Sequence, residues 1–412
     1  MKVLHINTSD KSSGAAIAAF RLHNAMISSG IESKYLVLDR KIKDRNDIIT
    51  VSKYSRYIKK IINLSFERIK IKNMQKMKGL FSSFKYGVSI SKNPEITEAD
   101  IIYIHWINSF VNYKELKKIL KTGKPVFWFM HDMFAITGGC HYSFECTNYQ
   151  TQCCKCPYHG GGLLPDLSAW QFKKKKNIYK KFNNLMFVAP SRWLYDCAKK
   201  SSLTENKQIY HIPNLIDSNL FKSINKEAVR QLFSLDKGTR IIGFGAESVL
   251  TNPYKGWNYL KEALRILSED KTLQEIKIEI LIFGSSYSKE ITDSIPFPVH
   301  FLGHLHDEYS LVMAYNCMDV FVIPSMAENF PNTILESIAS NVPVVGFNVG
   351  GIPDMVNEQT GYLVKYKNSS DLANGISYLL KEKKTNVRNN INSYTIEKII
   401  EEHKTMWNNK IT

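Results

Sequence analysis

The sequence lacks several features that would narrow its class at once. It has no run of about 18 apolar residues, so we expect no transmembrane helix. Residues 1–9 read as a buried strand, without the long apolar segment and cleavage site of a signal peptide. No Asp-x-Asp motif occurs, so a metal ion that bridges carboxylates to a diphosphate is not supported. We therefore expect a cytoplasmic protein that uses no cofactor for catalysis.

Cysteine is also scarce, with seven in 412 residues, yet five of them lie between residues 140 and 156. The spacing is C-x5-C-x6-C-x2-C, and its members are Cys140, Cys146, Cys153 and Cys156. In a cytosolic chain such a cluster favours a closed structural zinc site over disulfides. His141 and His159 are alternative ligands, and Cys154 is expected to be a bystander. The sequence thus predicts one possible structural zinc ion.

The chain of 412 residues is long for a single hydrophobic core, and two domains of about 200 residues are the usual arrangement. Short apolar strands alternate with helical segments in both halves. The main predicted strands lie at 3–6, 34–38, 101–105, 126–130, 187–190, 210–213, 241–245, 278–284, 299–305, 320–323 and 342–347. This alternation predicts two doubly wound α/β domains that face each other across a cleft.

The formal net charge is +17, and all of the excess lies in residues 1–214. Two stretches concentrate it: residues 53–92 hold eleven Lys and Arg among apolar residues at helical spacing, and residues 173–181 hold six lysines. The asymmetry indicates an acidic partner, although a lysine-rich solvated surface explains the same charge. The stretch 53–92 fits either a helix in a membrane interface or a core-facing helix with a basic outer face.

The most informative stretch is residues 319–354, DVFVIPSMAENFPNTILESIASNVPVVGFNVGGIPD. A short apolar strand is followed by a polar loop, a helix that starts at Pro331, and a second strand. This order is a βαβ unit, whose ligands bind beyond the carboxyl ends of the strands. The start of the helix presents backbone amides and the positive end of a dipole, which suit a diphosphate.

Two glutamates of this stretch indicate a ligand that carries hydroxyl groups. Glu328 lies in the loop and Glu336 about one and a half turns into the helix, so both are able to face one pocket. A carboxylate beside an anion site makes sense when it binds hydroxyls, which a sugar nucleotide carries on its ribose and its sugar. For two arbitrary glutamates an acidic helix start would be the simpler explanation. Here the surrounding residues favour the sugar nucleotide.

The pattern E-x7-E after a strand that ends in Pro-Ser, with V-P-V-V and G-G-x-P-D behind it, resembles the family-four retaining glycosyltransferases of the GT-B fold. The variant E-N-F-P-N-T-x-L-E is similar to a subgroup of bacterial capsular and exopolysaccharide biosynthesis. The resemblance extends over nearly the whole chain. It implies an acceptor-side Rossmann-like domain at 1–214 and a nucleotide-sugar domain at 215–394. The last segment, 395–412, is then expected to pack back on the first domain.

The resemblance also implies roles for individual residues. Lys255, at a helix start, is expected on the diphosphate, although the arginine that many family members carry a few residues earlier is missing. Glu336 is expected on the ribose hydroxyls. The expected catalytic residues are Glu328, near the transferred sugar, and His131, which follows a strand, although a lone histidine is more often structural. The remaining donor-binding residues are expected to be Gly14, Gly245, Asn329, Phe330, Asn332 and Thr333.

The implied reaction is transfer of a hexose-type sugar, with retention, from a nucleotide diphosphate sugar to a hydroxyl of a glycan acceptor. The basic first half favours a lipid-linked glycan at the inner face of the plasma membrane, and hence a peripheral enzyme of capsule, exopolysaccharide or O-antigen synthesis. Two alternatives stay open: a nucleotide-sugar epimerase of the same fold, and a zinc-containing nucleic-acid-binding protein. The second leaves Glu328 and Glu336 unexplained, so nucleic acid is not expected as a partner.

Overall fold

The computed structural model describes residues 1–51, 80–157, 166–245, 250, 252–384 and 386–411. The chain forms two units, one of residues 1–215 with 399–412 and one of residues 216–398. Most of the predicted basic helix at 53–92 lies outside the described residues, as do His159 and the loop 246–249. The helices that the structure describes include none that is long and apolar enough to cross a membrane.

The first unit is built on a parallel sheet. Its described strands are β1 (Lys2–Ser9), β2 (Glu32–Asp39), β3 (Ile48–Thr50), β4 (Ile101–Ile104), β5 (Val126–Phe129), β6 (Leu185–Ala189) and β7 (Ile209–His211). Its described α-helices, apart from the last of the chain, are α1 (Gly14–Ser28), α2 (Pro94–Glu98), α3 (Tyr113–Leu120), α4 (Leu167–Lys181) and α5 (Arg192–Lys200). The strand order is β3-β2-β1-β4-β5-β6-β7, so it reverses between β1 and β4, where α/β sheets open a ligand crevice.

Both faces of this sheet are covered, because successive side chains of a strand point to opposite faces. In β2, Leu36 and Leu38 belong to the main core of the unit, whereas Tyr35 and Val37 join a second cluster with Ala19 of α1. The second face also carries imidazoles and phenols. His5 of β1 lies opposite Tyr35 on one side and Tyr103 on the other. This face of the sheet supplies the polar groups of the unit's candidate site.

One lysine of the basic patch at 173–181 is buried in helix α4 rather than exposed. The buried residues of this helix recur at helical spacing and include Lys175, which has no exposed surface at all. The ammonium donates to the carbonyl oxygens of Phe134 and Thr137 and lies 3.7 Å from the centre of the Phe134 ring. Burial lowers the pKa of this lysine to about 7. Only five of the six lysines at 173–181 therefore lie at the surface of the helix.

The second unit is also built on a parallel sheet. Its described strands are β8 (Arg240–Gly245), β9 (Ile278–Phe283), β10 (Val299–Gly303), β11 (Val320–Ile323), β12 (Val344–Phe347) and β13 (Gly361–Val364). Its described α-helices are α6 (Lys226–Leu232), α7 (Trp257–Ser268), α8 (Lys289–Ser294), α9 (Glu308–Cys317), α10 (Asn332–Ala339) and α11 (Ser369–Glu382). The order is β10-β9-β8-β11-β12-β13, which reverses between β8 and β11. Both faces of β11 are buried, because Phe321 and Ile323 pack in one core and Val320 and Val322 in another.

The last helix of the chain is α12 (Ile396–Ile411), and its residues from 399 onward belong to the first unit. Trp407 and His403 are buried there and share one partner. Nε1 of Trp407 donates to the hydroxyl of Tyr103 at 2.8 Å, and that hydroxyl lies 2.8 Å from Nδ1 of His403. The helix is thus attached to β4 by buried hydrogen bonds as well as by packing.

Candidate functional site

An ion pair marks the carboxyl end of the sheet in the second unit. Nζ of Lys255 donates to Oε1 of Glu328 at 2.7 Å. Lys255 ends the short 3-10 turn Pro253–Lys255 before α7, and Glu328 lies in the β11–α10 loop, residues 324–331. The lysine side chain is 32% exposed and the glutamate side chain 13% exposed, so the pair is open to a ligand on the lysine side. The structure therefore brings together two of the predicted site residues.

Two glycines hold the β11–α10 loop by backbone contact. Gly256 has φ +69°, and a Cβ there would lie 1.8 Å from the carbonyl oxygen of Pro324. Gly350 has φ +58°, and a Cβ there would lie 1.9 Å from the carbonyl oxygen of Glu328. Only glycine tolerates both the left-handed backbone and this approach. A hydrogen bond of 3.1 Å from the amide of Gly351 to the same Glu328 carbonyl fixes the loop further.

The start of α10 contains the other predicted donor-binding residues of this segment. Pro331 occupies the N-cap position and makes no side-chain capping bond, and Asn332 and Thr333 begin the helix. Asn329 and Phe330, directly before it, are 3% and 6% exposed. The positive end of the helix dipole lies at this start, which suits an anionic group.

Glu336 is more enclosed than its predicted role suggests. It lies inside α10, is 3% exposed, and accepts a hydrogen bond of 2.9 Å from the hydroxyl of Tyr315 in α9. Sequence reasoning did not single out Tyr315, because a tyrosine in an apolar helix is usually a core residue. The hydroxyl holds one carboxylate oxygen of Glu336 in a fixed direction.

Two predicted glycines have different physical explanations. A Cβ at Gly14 would meet nothing within 4 Å, so no close contact within the described fold requires glycine at the start of α1. A Cβ at Gly245 would lie 2.2 Å from the ring of Phe283. Packing against that ring therefore accounts for Gly245, whereas Gly14 leaves open space in front of its backbone.

In the first unit, His131 follows β5 and lines a pocket of about 200 Å³ with Ala18, Leu22, Phe129 and Asn214 among others. Its Nε2 lies 3.0 Å from Nδ1 of His105. Burial lowers the pKa of His131 to about 4, with nearby Asp132 acting in the opposite direction. His131 is thus neutral at pH 7 and serves as a hydrogen-bonding group.

Asp132 is directed away from this pocket. It accepts hydrogen bonds from Nδ1 of His141 and, at 3.1 Å, from Nε1 of Trp106, and it caps the turn that begins at Met133. Burial raises the pKa of this carboxyl, but His141 and the backbone amide of Phe134 outweigh it and lower the pKa below its usual value. The aspartate is an ionised structural anchor beside His131.

The five clustered cysteines line one pocket of about 280 Å³ with Phe81 and Gly138. None of the five forms a disulfide within the described residues, and Sγ of Cys153 accepts a hydrogen bond of 3.2 Å from the amide of Gly138. No three His, Cys, Asp or Glu side chains among the described residues are positioned to hold a metal ion. Binding of zinc at this pocket would therefore require the sulfurs to move together, and the zinc site stays a prediction.

A match to a known protein family lies within the second unit. Residues 240–382 match the family model of "Glycosyl transferases group 1", and this range contains Lys255, Glu328 and Glu336. This sequence match supports a group 1 glycosyltransferase in the second unit. The chain is 22% identical over 376 residues to the putative colanic acid biosynthesis glycosyl transferase WcaC of Escherichia coli, covering 88% of this chain and 87% of that protein. It is 29% identical over 206 residues to protein CapJ of Staphylococcus aureus, which is 46% of this chain and 50% of CapJ.

The fold matches that of solved glycosyltransferases over the full length. The crystal structure of Anabaena HepE in complex with UDP and glucose superposes with a TM-score of 0.65 over 99% of each chain, at 15% sequence identity. The predicted fold class, two doubly wound Rossmann-like units of the GT-B type, is thereby confirmed. The epimerase and nucleic-acid-binding alternatives find no support in the comparisons.

We predict that protein purified without chelator contains about one zinc ion per chain, because four thiols of one pocket are the ligand set of a closed structural site. Elemental analysis measures the content. Cys146→Ser is expected to lower it strongly, whereas Cys154→Ser, which alters an exposed cysteine of the same segment, is the matched control. Absence of zinc from the wild-type protein after metal reconstitution would contradict the site.

We also predict that Gly350→Ala reduces catalytic turnover by at least about tenfold, because an overpacked contact costs about 1–3 kcal/mol and is relieved by moving the Glu328 loop. Gly238→Ala is the control, since its Cβ would have no neighbour nearer than 3.8 Å. Steady-state kinetics with thermal denaturation separates loop displacement from unfolding. Equal activity of the two variants would show that the Glu328 loop does not depend on Gly350.

Proposed function

We propose that the chain is a retaining glycosyltransferase that moves a hexose-type sugar from a nucleotide diphosphate sugar to a hydroxyl of a glycan acceptor. The observation that carries this proposal is the Lys255–Glu328 pair of 2.7 Å beside the uncapped start of α10. A cation and helix amides suit a diphosphate, and a carboxylate suits sugar hydroxyls. The UDP bound to HepE, a protein of the same fold, supports a nucleotide sugar as the donor.

The lysine can serve a diphosphate without leaving its glutamate. An ammonium group has three N–H donors, so the bond to Glu328 does not by itself prevent the lysine from binding a phosphate oxygen. Glu328 thus holds Lys255 in position before the donor binds. The pair would then place the cation on the leaving phosphate and the carboxylate beside the sugar. Positive charge supplied where negative charge develops is the largest source of rate enhancement in such transfers.

The proposed chemistry balances without a covalent enzyme intermediate. The bond between the anomeric carbon and the phosphate oxygen breaks, and the acceptor oxygen bonds to the same face of that carbon. The acceptor proton passes to the departing diphosphate. In this scheme Lys255 and the start of α10 stabilise the diphosphate, Glu336 binds the ribose, and Glu328 orients the sugar. His131 stays the predicted catalytic residue of the first unit.

The proposed acceptor is a lipid-linked glycan at an anionic membrane surface, within synthesis of capsule, exopolysaccharide or O-antigen. WcaC is named for colanic acid biosynthesis, which supports a surface polysaccharide as the product. The first unit supplies a basic helix face, since Lys173, Lys176 and Lys180 of α4 are exposed and recur at helical spacing. A small soluble acceptor would not need such a field.

A panel of sugar nucleotides tests the function directly. The proposal expects release of free UDP or GDP from one donor, stimulated by a glycan acceptor, and a product whose anomeric configuration by NMR equals that of the donor. Isomerised donor without nucleotide release would instead indicate an epimerase. A product with the opposite anomeric configuration would contradict the retaining mechanism but would still show that the protein is a glycosyltransferase.

Lys255→Ala is expected to lower turnover roughly a hundredfold or more, because loss of a cation at a developing phosphate charge costs about 3 kcal/mol. The matched control is Lys289→Ala, which removes an exposed lysine of the same unit that pairs with Asp293. Donor binding and turnover are measured for both variants. Near wild-type turnover of Lys255→Ala would overturn this assignment.

Co-sedimentation with vesicles tests the membrane surface. We expect binding to anionic vesicles at low salt and little binding to neutral vesicles or at high salt, because a basic residue near such a surface contributes about 1 kcal/mol. Replacing the exposed Lys173, Lys176 and Lys180 by Ala should weaken binding about tenfold or more. The control replaces three exposed lysines of the second unit, Lys237, Lys271 and Lys289. No binding to anionic vesicles at low salt would leave these lysines as a solvated face.

A further inference from the structure

Three histidines of the first unit form a hydrogen-bonded row that ends in the candidate pocket. Nδ1 of His5 lies 2.9 Å from Nε2 of His105, and Nδ1 of His105 lies 3.0 Å from Nε2 of His131. His5 and His105 are buried, at 0% and 2% exposure, whereas His131 is partly exposed. His105 and His131 both line the pocket after β5, and His5 does not. The row thus runs from the interior of the sheet to the site.

At the inner end of the row the direction of hydrogen bonding is fixed. Nε2 of His5 lies 3.3 Å from the sulfur of Met26, which is fully buried in α1. A thioether sulfur accepts hydrogen bonds weakly and has no proton to donate. The contact is therefore favourable only when Nε2 of His5 carries the proton. In the opposite tautomer the lone pairs of nitrogen and sulfur would face each other.

Each histidine of the row is neutral at physiological pH. Burial lowers the pKa of His5 and of His105 well below the usual value, and it lowers the pKa of His131 to about 4. A neutral imidazole has one donor and one acceptor nitrogen. If one ring nitrogen carries the proton, the other must accept. Each hydrogen bond of the row therefore fixes which nitrogen of the next ring is protonated.

The hydrogen-bond direction that the sulfur sets at His5 determines the donor and acceptor nitrogens of the next two histidines. With the proton on Nε2, His5 accepts at Nδ1, so His105 must donate from Nε2. His105 then accepts at Nδ1, so His131 must donate from Nε2. Stacking holds the rings in place, since the His5 centroid lies 5.1 Å from that of Tyr103 and 5.2 Å from that of His105. The last nitrogen, Nδ1 of His131, is left as an acceptor.

We propose that Met26, His5 and His105 are positioning residues that hold His131 in the tautomer with its proton on Nε2 and a lone pair on Nδ1. The tautomer is a property of the free protein, and only the use of the lone pair rests on the proposed function. A lone pair accepts from a hydroxyl or amide proton of the sugar and repels a carboxylate or phosphate oxygen. The row therefore selects a neutral sugar group at this point of the pocket.

The direct test is a long-range ¹H–¹⁵N correlation spectrum of the full chain labelled with ¹⁵N-histidine, recorded at neutral pH without ligand. Coupling patterns and nitrogen shifts distinguish the two neutral tautomers, and His131→Asn assigns the signal. The expected result is a His131 with a protonated Nε2 and an unprotonated Nδ1. A protonated Nδ1 overturns the proposal, whatever the enzyme's activity.

Met26→Leu tests the source of this hydrogen-bond direction, because leucine fills similar space without an acceptor. His131 is then expected to show both tautomers, and turnover should fall several-fold while the melting temperature stays close to that of Met186→Leu. Met186 is an equally buried methionine of β6, so this variant is the matched control. An unchanged His131 spectrum in Met26→Leu shows that the sulfur does not set the tautomer. If that variant does not fold, the wild-type spectrum still decides the direction of the row.

Discussion

The site of the second unit depends on the close approach of two backbone segments to one loop. The β11–α10 loop is touched by Gly256 on one side and by Gly350 on the other, at distances that exclude any side chain. Backbone contacts of this kind leave the loop little freedom, because neither partner has a rotamer that can move aside. Glu328 is therefore placed by the main chain, and Lys255, next to Gly256, is carried to it by the same contact. The ion pair is therefore preorganised by the contacts of Gly256 and Gly350 with this loop.

Much of the fold was predictable because buried parallel strands read as short apolar runs between helical segments. The strand Val320–Ile323 matches its prediction to the residue, and the helix Trp257–Ser268 begins two residues after Lys255, where a helix start was expected. The edge strands Ile48–Thr50 and Gly361–Val364 were missed. The first has only three residues, and the second begins at a glycine and contains a tyrosine and so lacks a plain apolar run. Edge strands need less apolar sequence than central ones, since they have one neighbour fewer.

The candidate site was predictable where a motif spans neighbouring residues and hidden where distant residues meet. Glu328, Glu336 and Lys255 follow from local patterns, whereas Tyr315 reaches Glu336 from another helix. Lys175 read as one of several surface lysines, because a run of four lysines does not show which one the helix turns inward. The histidine row joins residues about 100 and 26 positions apart along the chain, and each of its members looks like an ordinary core histidine in sequence.

The clamped loop also has a consequence for redesign of donor preference. A loop whose main chain is in contact on two sides accepts new side chains more readily than a new length, because an insertion must displace glycine backbones that cannot yield. Libraries that vary the side chains at 326, 327, 329 and 330 would keep the Lys255–Glu328 ion pair, whereas libraries that lengthen the loop would lose it. Gly256 and Gly350 must therefore be kept to hold the loop in place, whereas side chains of the loop can be varied.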